Sequence, residues 1–426
     1  VAAAHARNLM VLLDVVYNHF GPDGNYLHAY APDFFNADVH TPWGAAINFD
    51  RSGSRVVRDF FIHNALYWLE EFHFDGLRID AVHAMHDTSA LHFIDELAHA
   101  VRDGPGRERH VHLVLENEAN DAARLRRDAG GAVQRATAQW NDDVHHALHV
   151  LASGEADGYY ADYAAQPVCL FGRALAEGFA YQGESSAFRG GRPHGTPSVA
   201  LSPLAFVNSL QTHDQVGNRA FGERIAMLAR ERGRGDALRA LLACVLLSPA
   251  VPMLFMGEEF AASSPFLYFC DFTGDLAHAV TEGRRNEFSR FARFTDPEAR
   301  SLIADPNDEA TFARSKLVWD ERGAATHAAW LALYRHLLAI RRESLVPLLA
   351  HAASGVAAVH GAGLLEVSWP LNVPGSHGRL HLLANLADNS ASAQHLPAGD
   401  VVYENHANAD STLRPAWSVR VSIERA

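Results

Sequence analysis

Short apolar runs alternate with amphipathic stretches along most of the chain. Apolar runs of strand length lie at residues 9–17, 74–82, 110–118, 137–143, 204–214 and 251–260. Helical periodicity marks residues 56–72, 88–102, 236–248 and about 325–344. Strands and helices in alternation predict an α/β fold whose sheet is parallel and whose crossovers are right-handed.

The predicted strands share a feature at their carboxyl ends, where each meets polar and chemically reactive residues. These residues are Asp14 to His19, Asp80, Glu116, Asp142, His213, Asp214, Glu258 and Glu259. Chemistry gathered at the ends of successive parallel strands is typical of a (β/α)8 TIM barrel. A doubly wound sheet would concentrate ligands at one switch point, and no glycine-rich phosphate loop follows any of these strands. The pattern therefore favours a barrel.

The pattern changes after about residue 346. Short apolar runs separated by Gly, Pro, Asn and Ser predict a small antiparallel β domain there. Residues 264–316 are rich in aromatic and charged residues without clean periodicity, which indicates a long excursion after the last barrel strand. We predict a catalytic barrel over residues 1–345 and a β-sandwich domain over residues 346–426.

Arg78 and Asp80 place two charges in the otherwise apolar core of the stretch "FDGLRIDAVH" at residues 74–83. Side chains alternate faces along a strand, so Arg78 and Asp80 point the same way and the guanidinium can keep the carboxylate ionised. The pair is either a structural ion pair or a nucleophile with its electrostatic partner. This stretch alone does not separate the two interpretations.

Two further carboxylates, Glu116 and Asp214, end other strands and bear on whether Arg78 and Asp80 form a structural or a catalytic pair. Glu116 follows the apolar run "HVHLVL", which would raise its pKa, whereas Arg78 would lower that of Asp80. One raised and one lowered carboxyl is the division that glycoside hydrolysis needs. Metal catalysis is the alternative, but no strand end carries a clear set of two histidines and a carboxylate. We predict no metal and no cofactor.

Composition excludes several classes of protein. A net charge of −14 without a basic stripe argues against a nucleic-acid partner. Three cysteines without close spacing argue against a disulfide framework or a structural zinc site. The most apolar run, 241–256, contains two prolines, so we expect no membrane span and a cytoplasmic location. The chain opens inside a helix-then-strand pattern, from which we expect a fragment that lacks its natural N-terminus.

Four segments in order resemble the strand-end motifs of the α-amylase superfamily of glycoside hydrolases. They are "DVVYNH" (14–19), "GLRIDAVH" (76–83), "LENE" (115–118) and "THDQVGN" (212–218). The resemblance covers about residues 1–345, and the trailing β domain also fits. The family carries these motifs on its third, fourth, fifth and seventh barrel strands. The resemblance therefore implies a barrel that lacks its first two strands, with about six remaining and with apolar sheet edges exposed. We expect this chain by itself to be poorly soluble and inactive.

Loop segments sharpen the resemblance toward the trehalose-releasing members of the family. The segments are "NHFGPDGNYL" (18–27), "WNDDVHHAL" (140–148), "GYYADY" (158–163), "HDQVGNRAFGERI" (213–225), "LFMGEEFAASSPFLYF" (254–269), "EGRRNEF" (282–288) and "DEATFARSKLVW" (308–319). They imply retaining hydrolysis of the α-1,4 bond that joins trehalose to a maltooligosaccharide. A general α-amylase or a glucan branching enzyme is the alternative, and a catalytically dead glucan-binding module is a rival from another class. The oligomeric state stays open.

The resemblance also implies residue roles. Asp80 would be the nucleophile, Glu116 the acid and then the base, and Asp214 the residue that stabilises the transition state. Arg78 would orient Asp80, while His19 and His213 would bind the sugar at the cleavage site. Recognition of the departing trehalose would fall to His83, Trp140, Asp142, His145, Tyr159, Tyr160, Gln215 and Arg219. Aromatic faces stack on sugar rings, and polar side chains bind the hydroxyls.

Overall fold

The computed structural model describes residues 1–21, 23–41, 44–290, 296–406 and 411–425. Residue 22 of the first loop segment, residues 291–295 of the excursion and residues 407–410 of the predicted β domain lie outside the described residues. The chain divides into two compact units, Val1–Asp142 with Glu177–Val207 and Asp143–Ala176 with Asn208–Ala426. The domain boundary predicted near residue 346 stays a prediction.

One six-stranded sheet contains the predicted strands in chain order. Its strands are β1 (Leu12–Val15), β2 (Gly76–Ile79), β3 (His112–Leu115), β4 (Ala138–Trp140), β5 (Phe206–Ser209) and β6 (Val251–Met253). The pairings from β1 through β5 are parallel, as the alternation predicted. Leu77, Ile79 and Leu115 have no exposed surface, which is what a sheet covered on both faces requires. The predicted α/β class and the count of six barrel strands are confirmed.

Each strand is shorter than its apolar run. The run 251–260, for example, leaves the ladder after Met253 and ends in a 3-10 turn at Glu258–Phe260. Gly257 begins that turn at a φ of 84°, and a Cβ there would lie 2.5 Å from Leu317 Cδ2. Asp80, Glu116 and Glu258 therefore lie just beyond the ladder, whereas Asp14 lies within β1.

Helices fill the intervals between these strands. The longer ones are α1 (Ser54–Glu70), α2 (Phe93–Asp103), α3 (Asp142–Ser153), α4 (Pro167–Glu177), α5 (Gly235–Leu246), α6 (Gly274–Glu287) and α7 (Ala325–Ile340). The excursion contains α6 and two short helices, Pro297–Ser301 and Glu309–Ser315. Asp308 caps the last of these by accepting a hydrogen bond from the Ala310 amide at 2.8 Å. The excursion therefore lacks clean periodicity in its sequence because part of it consists of short capped helices.

The predicted antiparallel domain is present near the C-terminus. Its five-stranded sheet has the order β7 (Val356–His360), β8 (Leu364–Val373), β9 (Ser376–Asn385), β11 (Ser418–Glu424) and β10 (Asp400–Glu404). Trp369 of β8 is fully buried, and its indole N–H donates to the Leu175 carbonyl at 3.2 Å. A Cβ at Gly172 of α4 would lie 2.5 Å from Leu365 Cδ1, so glycine permits this close packing.

Large apolar side chains are exposed at the two outer strands of the six-stranded sheet. Leu12 is 39% exposed and Val16 48%, and next to the last strand Leu254 is 38% and Met256 47% exposed. An open sheet presents its outer strands in this way. In the part of the chain that is described, no helix has the length and apolar character that a membrane crossing needs.

Glu258 is a buried acid of the second unit. It is 5% exposed, and it accepts hydrogen bonds from Gln211 Nε2 at 3.3 Å and from the Tyr334 hydroxyl at 3.2 Å. Burial raises the pKa of Glu258 to about 8, and the neighbouring Glu259 adds to this. The carboxyl is therefore neutral in the folded chain at neutral pH.

We expect Glu258→Gln to stabilise the chain at alkaline pH. Between the ordinary glutamate pKa and about 8, the folded chain keeps a proton that the unfolded chain releases. The free energy of unfolding therefore falls as pH rises through this interval. Gln stays neutral, so well above pH ~8 it should add up to about 5 kcal/mol in urea titrations. Glu259→Gln is the control, and an equally steep pH dependence in Glu258→Gln would contradict the explanation.

Candidate active site

Arg78 lies at the centre of the polar cluster in the first unit. Its side chain is 6% exposed, and Nη1 donates to Asp14 Oδ1 and to Asp80 Oδ1, both at 2.7 Å. Nη2 lies 2.9 Å from Glu116 Oε2. The guanidinium carbon stands 4.1 Å from the centre of the Trp140 ring. One buried cation thus joins residues from the ends of four successive strands.

This convergence follows from the register of the parallel strands. Asp14 of β1 pairs with Arg78 of β2, and Arg78 pairs with Val114 of β3. Glu116 lies two residues beyond Val114, so its side chain reaches the same face at the strand end. The guanidinium is flat and carries five donors, which lets it hold carboxylates on both neighbouring strands at once.

Asp80 is held by three neighbours. Asn18 Nδ2 donates to Asp80 Oδ2 at 2.7 Å and to the Asp80 carbonyl at 3.0 Å, and the Glu116 side chain hydrogen-bonds the same carboxyl. Burial raises the pKa of Asp80, but the Asn18 hydrogen bond and the charge of Arg78 outweigh it. The pKa therefore lies below its usual value, and Asp80 is ionised at neutral pH.

The turn after Asp80 is strained and is held by Glu116. Ala81 adopts a φ of 40°, in the left-handed region that alanine rarely enters. Its amide donates to Glu116 Oε2 at 2.8 Å, and the Val82 amide donates to the Glu116 carbonyl at 3.0 Å. Strain of this kind persists only where the surroundings enforce it and is common at functional sites.

Two predicted sugar-binding histidines flank Asp80. His19 Nδ1 hydrogen-bonds the Asn18 amide oxygen, and burial lowers the pKa of His19 although Asp80 opposes this. His83 Nδ1 accepts from the Glu118 amide at 3.2 Å, and Glu118 also pairs with Arg189 at 2.5 Å. Burial lowers the pKa of His83, so its ring is neutral near pH 7. The sequence motif contained Glu118 without assigning it a role, and nothing in the sequence pointed to Arg189.

Asp214 lies in the second unit, on the short helix His213–Gly217. Thr212 caps this helix, and Gln215 Oε1 accepts from the Thr212 amide at 2.7 Å in a capping box. The side chains of His213 and Asp214 are 43% and 47% exposed, and His213 Nε2 lies 3.6 Å from Asp214 Oδ1. The cap therefore occupies Gln215 and leaves Asp214 open to solvent.

Arg284 of the excursion fixes the other end of this helix. Its Nη2 donates to the Gly217 carbonyl at 2.8 Å and to the Arg219 carbonyl at 3.0 Å. The guanidinium also packs over the rings of Tyr268 and Phe288. A cation at the last carbonyls of a helix complements the helix dipole. The excursion thus supports the Asp214 helix, a role that the sequence analysis did not assign to Arg284.

Four of the predicted recognition residues meet in a buried network of the second unit. His145 is 1% exposed, and its Nδ1 donates to the Leu210 carbonyl at 2.7 Å. Burial lowers the pKa of His145 to about 3, so the ring is neutral and Nε2 accepts from the Tyr160 hydroxyl at 3.0 Å. Both ring nitrogens are engaged, which favours positioning of the Leu210 backbone over direct sugar contact. Tyr159 packs on Tyr160 with ring centres 4.5 Å apart.

The network continues from Tyr160 to Arg219. His149 stacks on the Tyr160 ring at 4.0 Å, and its Nε2 hydrogen-bonds Glu155 Oε2 at 2.8 Å. Glu155 accepts two bonds from Arg219, at 2.7 and 2.9 Å, and Arg219 Nε donates to Glu223 at 3.1 Å. Burial raises the pKa of Glu155, but its bonds to His149 and Arg219 hold that pKa well below the usual value. Glu155 was not predicted.

We expect Glu155→Gln to destabilise the second unit. The change leaves the largely buried Arg219 without its bidentate carboxylate, at a cost of about 2–3 kcal/mol at pH 7. Glu155 has a lowered folded pKa, so its contribution is present above the unfolded pKa and fades as pH falls below about 4. Thermal unfolding across pH tests this, with Glu223→Gln as the milder control. A constant deficit down to pH ~2 would contradict it.

The structure thus gathers the predicted residues into separate groups. In the first unit Arg78 contacts Asp80, Glu116 and Trp140, with His19 and His83 near Asp80, and Asp142 begins α3. In the second unit the groups are the His213–Gly217 helix, which carries Asp214 and Gln215, and the buried network. Their functional assignments stay predictions. Among the described residues no three His, Cys, Asp or Glu side chains form a cluster that could hold a metal ion.

A parallel α/β sheet with paired carboxylates at its strand ends, followed along the chain by an antiparallel domain, is the architecture of α-amylase-type glycoside hydrolases. No protein-family model matches the chain. The structure is similar to the 1.4 Å crystal structure of a putative alpha amylase from Salmonella typhimurium. The TM-score is 0.90 and the identity 42%, covering 99% of this chain and 69% of that one. The chain therefore belongs to the α-amylase family.

Curated proteins that are similar to this chain in sequence point to one enzyme within the family. The chain is 42% identical over 347 residues to the malto-oligosyltrehalose trehalohydrolase of Mycobacterium tuberculosis strain H37Rv, covering 80% of this chain and 57% of that protein. It is 43% identical over 346 residues to the protein of that name from Arthrobacter ramosus, covering 80% and 58%. The chain spans less than three-fifths of the length of these relatives.

Proposed function

We propose that this chain carries the catalytic centre of a trehalohydrolase, which cleaves the α-1,4 bond between trehalose and a maltooligosaccharide by a retaining mechanism. The observation that carries the proposal is the contact of Asp80 and Glu116 under one buried arginine. The names of the sequence relatives support the choice of trehalose as the product. A cytoplasmic location is part of the same proposal.

The spacing of the two carboxyls supports retention. Retaining glycosidases hold their carboxyls about 5–5.5 Å apart, whereas inverting enzymes leave about 6.5–9.5 Å for a water molecule. Asp80 and Glu116 are close enough to hydrogen-bond, which is well short of the separation in inverting enzymes. A hydrogen bond between two carboxyl groups needs one proton. Because the pKa of Asp80 is lowered, that proton belongs on Glu116.

The proposed reaction follows from this arrangement. Ionised Asp80 attacks the anomeric carbon while Glu116 gives its proton to the departing trehalose oxygen, which leaves a glucosyl ester on Asp80. Glu116 then takes a proton from water, and the resulting hydroxide releases the maltooligosaccharide. Asp214 would bind ring hydroxyls and stabilise the positive charge of the transition state. His83 with Glu118 and Arg189 would contact the departing disaccharide.

Comparison of substrates tests the choice within the family. Incubation of the full-length protein, the form used in every activity measurement, with maltooligosyltrehalose and with a plain maltooligosaccharide of equal length should give free trehalose and a clear preference for the trehalose-ended chain. Preference for the plain chain would indicate a general α-amylase, and new α-1,6 branches a branching enzyme; either would overturn the proposal. No activity with intact carboxyls but retained glucan binding would indicate a binding module.

A further inference from the structure

A cavity in the second unit lies among residues to which the predicted chemistry gave no role. Its volume is about 360 Å³, within the range typical of small-ligand sites. Its walls come from α5, α7, the end of β10 and the turn before β11. The lining residues are Asp236, Arg239, Leu333, Tyr403, Asn405, His406, Ala416 and Trp417. None of the predicted catalytic or sugar-binding residues is among them.

Trp417 is held rigidly at this cavity. Its φ is 54°, a left-handed conformation that costs a tryptophan energy and that only surrounding contacts can enforce. Asn405 Nδ2 donates to the Trp417 carbonyl at 3.0 Å, and the indole N–H donates to Asp388 Oδ1 at 3.0 Å. Backbone and ring are thus both fixed, so binding a ligand to this ring would require little additional ordering.

Five of the other seven lining residues are polar, and the charges of Asp236 and Arg239 are opposite in sign. Asp236 and Arg239 contribute one charge of each sign, and Arg239 also packs over the Trp330 ring at 4.6 Å. Burial raises the pKa of Tyr403 to about 12, which keeps its hydroxyl neutral and able to donate. A cation or an anion would meet a like charge in this lining. A neutral ligand rich in hydroxyls meets an aromatic ring, donors and acceptors.

We propose that this cavity is a second carbohydrate site that binds an α-1,4-glucan chain, with Trp417 as its stacking platform. The choice of α-glucan among neutral sugars rests on the proposed function. The site would hold long glucans to the enzyme without taking part in bond cleavage. It therefore predicts retention on polymeric glucan that is separable from turnover of a short substrate.

Affinity electrophoresis in soluble starch tests the site, with Asp80→Asn in every variant so that starch is not consumed. Trp417→Gly suits the positive φ and removes the ring, and it should weaken starch affinity about threefold to tenfold. Trp417→Phe keeps an aromatic face and should stay within about twofold of the parent. Trp319→Ala removes an exposed tryptophan outside the cavity and should change nothing. Unchanged retention of Trp417→Gly would overturn the proposal.

Two further measurements distinguish loss of the glucan site from instability of the variant and from failure of the proposed function. Asp236→Ala alters an exposed wall residue without changing Trp417, so it tests the site even if Trp417→Gly proves unstable. It should also weaken retention on starch. Unchanged retention of Asp236→Ala would count against the site. With Asp80 intact, Trp417→Gly should hydrolyse a short maltooligosyltrehalose within about twofold of the parent. If no variant releases trehalose, the proposed function fails while the starch measurement stands on its own.

Discussion

Asp80→Asn should abolish turnover while leaving the chain folded. The variant keeps the size of the side chain and can still bond Asn18 and Glu116, but an amide does not attack the anomeric carbon. Loss of the nucleophile should lower kcat at least about a thousandfold. Initial rates on maltooligosyltrehalose, together with the thermal midpoint, check this. The substitution also removes the carboxylate charge beside Arg78, so a small shift of the midpoint is expected.

Asp59→Asn is the matched control for this change. Asp59 pairs with Arg55 on the exposed side of α1 at 2.6 Å, where the side chains are about half exposed. Exposed pairs of this kind contribute little to stability, about 0–1 kcal/mol. Its rate should match that of the parent. Near-normal turnover by Asp80→Asn would refute the assignment of the nucleophile.

Arg78→Gln should move the acid limb of the pH–rate profile to higher pH. The charge of Arg78 helps to hold the pKa of Asp80 below its usual value, so its removal raises that pKa. Asp80 must be ionised to attack, and activity would then be lost at a higher pH on the acid side, by about 1–3 pH units. The profile of kcat/KM against pH measures this shift.

Removal of Arg78 should also destabilise the first unit. The guanidinium is 6% exposed and contacts carboxyl groups from three strands, and breaking such a cluster costs about 3–5 kcal/mol. Arg78→Lys keeps the charge but loses the planar fork, so it should shift the acid limb less and still lose rate. An acid limb that stays in place in Arg78→Gln would show that Arg78 does not control Asp80.

The strand positions were predictable because apolar runs of β-sheet length are a local signal. The ends of the strands were not predictable, since the hydrogen bonds between strands are lost wherever the partner strand turns away, as at Met253. Helix α3 was missed because His145 and His149 lie on its buried face, and histidine reads as polar in a periodicity search. Their burial depends on Tyr160 and Glu155, which no local pattern connects to them.

In the candidate active site, too, local features were predictable and contacts between distant residues were not. That Arg78 and Asp80 would share a face followed from strand geometry, and the two side chains do meet at 2.7 Å. Arg78 also contacts Asp14, which is 64 positions away in the sequence. That contact depends on sheet register, which the sequence does not display. The same holds for Arg189 beside Glu118 and for Arg284 beneath the Asp214 helix. Such residues carry no motif of their own.

Stereochemistry of the first product tests the central claim most directly. Proton NMR of maltooligosyltrehalose during the first turnovers distinguishes the anomers of the new reducing end before they equilibrate. A retaining reaction through Asp80 and Glu116 predicts free trehalose together with the α-anomer of the shortened maltooligosaccharide. Initial release of the β-anomer would contradict the account, because inversion requires water to attack the anomeric carbon directly, without an ester on Asp80.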